Sequence, residues 1–111
     1  MEDSELLADA VQRFAYGKVL DMGTGTGIQG IIAAKKGCTV TFADVSTHAI
    51  RCARHNAEQN GVDGDFVVSD LFDSINGKFD TIIFNPPYLE SSKLGAESGD
   101  YIKLATDGGE N

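Results

Sequence analysis

Val19-Leu20-Asp21-Met22-Gly23-Thr24-Gly25-Thr26-Gly27 decides how this chain is read: an apolar stretch carries one carboxylate into alternating glycines. Val19 to Met22 reads as a short buried strand. Glycine directly after a strand lets the backbone turn sharply and approach a ligand without a Cβ in the way. Ile28 then opens a helix running to Lys36. Its unpaired N-terminal N–H groups suit a nucleotide-like ligand. A tight strand-to-helix turn without any ligand is the plainer alternative.

Two registers of the glycines compete. Gly25-Thr26-Gly27-Ile28-Gln29-Gly30 fits GxGxxG, with Asp44 at about the interval of a dinucleotide fingerprint. That register begins only after Gly23 has already ended the strand. The register beginning at Gly23 leaves Asp21 just ahead of the turn. S-adenosyl-L-methionine (SAM) has no pyrophosphate but carries a cationic amino group and a sulfonium. A carboxylate beside the loop attracts that ligand and repels a pyrophosphate. The expected cofactor is therefore SAM, with a nicotinamide dinucleotide as the alternative.

Outward from the loop, elements alternate. Ser4 to Tyr16 carries Leu6, Leu7, Ala10, Val11 and Phe14 at helical spacing, and Gly17 ends it. Cys38 to Ala43 reads as a second strand, with Asp44 at its end. Carboxylates there bind ribose hydroxyls in open α/β sheets. Ser46 supplies the N-cap of a helix to Asn60, so Asp44 is not needed as a cap. Phe66-Val67-Val68 is a third strand and Phe79 to Phe84 a fourth. Asp70, beyond the third, can accept from an exocyclic amino group beside an apolar wall of Leu71 and Phe72; an ordinary turn aspartate is the alternative.

The order predicts an α/β, Rossmann-like fold: a mainly parallel sheet of four strands with helices on its faces, in a single domain over 1–111. Asp70 to Lys78 is too short for a full crossover helix. Residues 91–111 are polar and glycine-rich and read as loop-like. The fourth strand is expected at an unpaired sheet edge, open to oligomers or to further strands beyond this sequence.

Asn85-Pro86-Pro87-Tyr88 follows the fourth strand. Paired prolines cannot extend the ladder and stiffen a loop at the ligand edge of the sheet. An amide or aromatic amino nitrogen is a poor nucleophile because its lone pair is delocalised. The Asn85 side-chain carbonyl and the Pro86 backbone carbonyl can each accept one N–H bond. The lone pair is then aimed at a methyl group and the developing positive charge is stabilised. Tyr88 can stack on the planar group. A plain proline turn is the alternative.

Composition sets the bounds. The chain has 111 residues, 41% hydrophobic and 23% charged, with a net charge of −8. That is a globular mixture. The acidity disfavours a domain that grips a phosphate backbone unaided and favours a protein or small-molecule substrate. No apolar run spans a bilayer. Met1-Glu2-Asp3-Ser4-Glu5 is acidic where a secretory signal is basic, so a cytoplasmic location is expected. Cys38 and Cys52 lack CxxC spacing, and His48 and His55 stand near no ligand cluster, so no metal is expected.

Taken together, these motifs resemble the HemK-like branch of class I SAM methyltransferases, which methylate the glutamine amide of the GGQ motif in translation release factors. The likeness runs over Glu2-Asp3-Ser4-Glu5-Leu6-Leu7, Val19 to Gly27, Asp44, Ser69-Asp70-Leu71-Phe72, the NPPY signature Asn85 to Tyr88, and Leu104 to Asn111. It is strongest to the compact archaeal and eukaryotic subgroup, whose members often work with a small zinc-binding activator protein. The resemblance implies that Ser4, Asp21 and Gly23 bind the methionyl part of SAM. It implies that Asp44 takes the ribose, and Asp70 and Leu71 the adenine. Thr24, Gly25, Gly27, Val45 and Asn85 complete the implied cofactor set, and Asn85, Pro86, Pro87 and Tyr88 the catalytic one. DNA adenine and rRNA guanine amino-methyltransferases share NPPY, so a nucleic-acid base stays open as substrate, as does a non-catalytic SAM-binding or partner-binding role. The family continues beyond Asp107-Gly108-Gly109 with a helix and more strands, so this sequence reads as the N-terminal part of that fold.

Overall fold

The computed structural model describes residues 2–84 and 103–106, with side chains for 5–84. In chain order the elements are α1 (Glu2–Phe14), β1 (Lys18–Met22), α2 (Ile28–Lys35), β2 (Thr39–Asp44), α3 (Thr47–Gln59), β3 (Asp65–Val68), β4 (Thr81–Phe84) and β5 (Lys103–Thr106). They form one sheet in the order β3-β2-β1-β4-β5. The first four strands are parallel, as the alternation of strands and helices predicts.

Two expectations need correction. Residues 91–111 were expected to be loop-like, yet Lys103–Thr106 pairs antiparallel with β4, Thr81 opposite Thr106 and Phe84 opposite Lys103. Four residues are too few for alternation to announce a strand. What selects the pairing is the open edge of β4, whose N–H and C=O groups need partners. That edge is therefore not the free oligomer surface expected.

Helices were also expected on both faces of the sheet, but α1, α2 and α3 all pack on one. Leu7, Val11, Ile31, Ala33, Ala53 and Ala57 meet Val19, Val40, Phe42 and Ile83 in the main core. Crossover handedness explains this. From β1 to β2 to β3 the chain steps in one direction across the sheet, so right-handed connections leave α2 and α3 on the same side; α1, which precedes β1, packs beside α2. After β3 it reverses, crossing back over β2 and β1 to reach β4. The same rule sends that connection to the opposite face. There Phe79 and Ile75 pack on Leu20, Met22 and Ala43. As its length predicts, the connection contains no helix.

Close packing between layers has identifiable sources. Phe42 is fully buried and stacks on Phe66, ring centroids 4.6 Å apart. The Lys36 ammonium donates to the carbonyls of Ala15 (2.6 Å) and Val11 (3.3 Å), closing the carboxyl end of α1. Thr81, fully buried, both accepts from the Tyr16 N–H and donates to the Tyr16 carbonyl at 3.1 Å. Gly30 lies inside α2, where alanine would normally stabilise a helix by about 1 kcal/mol. A Cβ there would overlap the Phe42 ring and stand 2.9 Å from Asp21 Oδ2. Gly30→Ala is therefore expected to destabilise the chain by about 1–3 kcal/mol in urea unfolding, against its helix propensity. An unchanged or raised midpoint would refute the packing described.

Candidate functional site

Parallel β3, β2 and β1 bring their carboxyl ends to one rim of the sheet. The register sets Asp21 beside Phe42, Met22 beside Ala43, and Asp44 beside Val68. The strand order reverses between β1 and β4, and open α/β sheets bind ligands at such a switch point. Gly23, Thr24, Gly25, Gly27, Val45, Asp70 and Leu71 all follow these strand ends. The rim thus brings these seven residues, with Asp21 and Asp44, to neighbouring strand ends and loops.

Gly23, Gly25 and Gly27 adopt φ of 77°, 56° and 90°, a region that side chains disfavour. The N–H groups of Gly23 and Thr24 both donate to the Ala43 carbonyl at 2.9 Å. On the far side α3 presses against the loop. A Cβ on Gly27 would sit 3.0 Å from the Ala53 Cβ, and Asn56 Nδ2 donates to the Thr26 carbonyl at 2.8 Å.

Asp21 is only 1% exposed. Its Oδ2 accepts from the Thr24 hydroxyl at 2.7 Å and from the Gly30 N–H at 2.9 Å. Burial pushes its pKa from 3.8 up to about 6; the bonds from Thr24 and Gly30 oppose the rise, and Asp44 adds to it. One N-terminal donor of α2 is thereby committed to an internal carboxylate. A phosphate at that helix end would meet a negative neighbour. Gly30, the last glycine of the GxGxxG register, here bonds Asp21 and makes room for Phe42.

Asp44, also buried, accepts from the Gly25 N–H at 2.9 Å through Oδ2 and from the Ser46 N–H at 3.0 Å through Oδ1. Each oxygen keeps a second lone pair for a ligand hydroxyl. Ser46 caps α3 as its sequence position predicts, accepting from Ala49 N–H at 3.1 Å. Among the described residues the only ion pair is Arg13 with Asp9 (3.0 Å), so neither buried carboxylate has a cationic partner there.

Asp70 and Leu71 are exposed beyond β3, and Leu71 takes a left-handed φ of 56°. Such a conformation costs a non-glycine residue about 1–2 kcal/mol. Buried Ser69 holds it, its hydroxyl donating to the Leu71 carbonyl at 2.6 Å and accepting from the Ser74 N–H at 3.0 Å. Ser4 lies within α1 with its side chain outside the described residues, as are Asn85, Pro86, Pro87 and Tyr88 entirely. Phe84, the last residue before them, pairs with Met22 at the glycine loop.

Sequence reasoning gave no role to Asn56, read Ala53 only as part of the packing face of its helix, and met Ser69 only as the first residue of the Ser69-Asp70-Leu71-Phe72 motif. An asparagine within a helix whose neighbouring face is alanine was the available signal for the first two. That motif gives Ser69 no contact of its own; its bonds to Asp44, Leu71 and Ser74 appear only in the structure. A cavity of about 350 Å³ lies elsewhere, on the face bearing Lys18, Thr41, Ile75 and Phe79. It contains neither buried aspartate, and no described helix is long and apolar enough to cross a membrane.

Comparison with known proteins agrees with this arrangement. The family described as "Methyltransferase small domain" matches residues 2–102. A Methanocaldococcus jannaschii protein, provisionally named a protein N5-glutamine methyltransferase, is 40% identical over 99% of this chain and 56% of its own length. Ribosomal RNA small subunit methyltransferase C of Serratia proteamaculans is 36% identical over 86% of this chain and 29% of its own. Among solved structures, the T. thermophilus 16S rRNA N2 G1207 methyltransferase, in complex with AdoMet and guanosine, superposes with a TM-score of 0.72. It is 26% identical and covers 79% of this chain and 26% of that one. The chain thus spans little more than half of the first relative and under a third of the second.

The raised pKa of Asp21 has a measurable sign. The folded chain holds this proton more tightly than the unfolded chain, so the associated stability is full below pH 3.8 and is lost as pH rises through about 6. The loss amounts to roughly 3 kcal/mol. Asp21→Asn keeps an oxygen acceptor for Thr24 and Gly30 and removes the charge. Urea midpoints are expected to decline less between pH 4 and 7 in this variant than in the wild type. Identical pH profiles would show that the carboxylate carries no such strain.

Proposed function

The chain belongs to the methyltransferase small domain family, and from that premise we propose that it is a SAM-dependent methyltransferase acting on a planar amide or amino nitrogen. One observation carries the cofactor reading: Asp21 and Asp44 are both buried near the carboxyl ends of adjacent strands, each bonded to the glycine loop, and neither has an ion-pair partner among the described residues. A sulfonium nucleoside with an ammonium group suits that field, and a pyrophosphate does not. In this reading Asp21 and Gly23, with Ser4, hold the methionyl end. Thr24, Gly25 and Gly27 shape the loop around it. Asp44 and Val45 hold the ribose, and Asp70 and Leu71 the adenine. Bound there, SAM supplies an electrophilic methyl group.

The chain's own contribution to transfer is positional. Asn85 and Pro86 directly follow Phe84, which pairs with Met22 at the head of the glycine loop. In this reading their carbonyls accept the two N–H bonds of the substrate nitrogen, and Tyr88 stacks on its plane. Pro87 keeps the corner rigid.

The foremost substrate is the glutamine amide of a release-factor GGQ motif. The name of the 40%-identical archaeal relative and the net charge of −8 support a protein substrate. The rRNA methyltransferases among the relatives support a second reading, a guanine amino group, served by the same nitrogen chemistry.

SAM is expected to raise the melting temperature while NAD leaves it unchanged; the opposite result would return the site to a dinucleotide. Affinity for SAM is expected to fall up to about tenfold per pH unit below pH 6, as Asp21 takes up its proton. With labelled SAM, label is expected in a release factor rather than in structured RNA. Label in RNA alone would select the second reading. Asn85→Ala is expected to cut transfer at least about 100-fold; unchanged transfer would remove Asn85 from the chemistry.

A further inference from the structure

Ser69 stands out among its neighbours. Val68, Leu71 and Phe72 are 45%, 42% and 52% exposed, yet Ser69 is 2% exposed. A buried hydroxyl persists only where its bonds are made, and both the N–H and the hydroxyl of this residue are bonded. Its N–H donates to the Asp44 carbonyl at 2.9 Å, tying it to the end of β2. Its Oγ donates to the Leu71 carbonyl at 2.6 Å and accepts from the Ser74 N–H at 3.0 Å, closing the turn. Asp70 is held between these anchors, its carbonyl accepting from the Asp73 N–H at 3.2 Å. Leu71 is the one described non-glycine residue with a positive φ, and its carbonyl is the group that Ser69 grips.

We propose that Ser69 is the positioning residue for nucleobase recognition: it couples the ribose-side carboxylate strand to the Asp70-Leu71 turn and so fixes the orientation of Asp70. The inference rests on the reading of this rim as the SAM cleft. Ser69 itself touches no ligand. Without its hydroxyl, Leu71 relaxes toward ordinary backbone angles and Asp70 loses its fixed direction. Binding of the methionyl and ribose parts remains.

The test is a ratio measured within each protein, which general loss of stability does not move. S-adenosylhomocysteine and its 6-oxo analogue, S-inosylhomocysteine, differ in whether the base offers an amino group to Asp70. Calorimetric titration of wild-type chain is expected to favour the amino form by about tenfold or more. In Ser69→Ala that preference is expected to drop to within about threefold, and Ser69→Thr, which keeps the hydroxyl, is expected to restore it. Should the alanine variant fail to fold, Ser69→Cys fills the same space with a poor donor, and the same loss is expected. Full discrimination in Ser69→Ala or Ser69→Cys overturns this inference alone. Failure of the wild-type chain to bind either nucleoside overturns the cofactor reading and this inference with it.

Discussion

The bond between a buried carboxylate and a helix N-terminus organises this molecule. Asp21 leaves β1, accepts from the Gly30 N–H in α2 and from the Thr24 hydroxyl in the loop, and so joins strand, turn and helix through one oxygen. Burying a lone carboxylate is costly unless something compensates. Two hydrogen bonds and the positive end of α2 compensate in part. The raised pKa records the remainder. A site kept short of positive charge in this way has a standing affinity for a cation, and that links the local fold to the proposed chemistry.

Crossover handedness supplies the second constraint. The parallel strands β1, β2 and β3 send their following loops from the same rim, and because α2 and α3 share a face, α3 can press Ala53 and Asn56 against the glycine turn. Asp44 then reaches back to Gly25, so the second strand end positions the first. The Ser69 N–H on the Asp44 carbonyl continues the chain of contacts to the third. The rim is a connected set of hydrogen bonds, which holds its polar groups in fixed positions.

The parts of this arrangement governed by local rules were legible in the sequence. Alternating apolar strands and amphipathic helices specify the parallel sheet. Ser46 announces the start of α3, and Gly23 fixes where β1 ends. The rim residues Asp21, Asp44 and Asp70 followed from strand ends alone. What depends on long-range partners was not legible. β5 exists because β4 has an open edge, Ser69 matters because Asp44 and Leu71 lie beside it, and Gly30 matters because Phe42 fills the space above it. None of these partners is near in sequence except Leu71, and no periodicity encodes them.

The central place of β1 has a consequence for how the chain reaches its native state. Its pairing with β2 closes a short stretch of chain, whereas its other edge waits for β4, and the Tyr16–Thr81 contact joins residues 65 positions apart. Distant closures cost more chain entropy and slow assembly. The β1-α2-β2 unit is the natural nucleus, and β4 docks late. Until it does, one side of the innermost strand is bare, and nascent chains are at their most vulnerable to mispairing with one another in that interval.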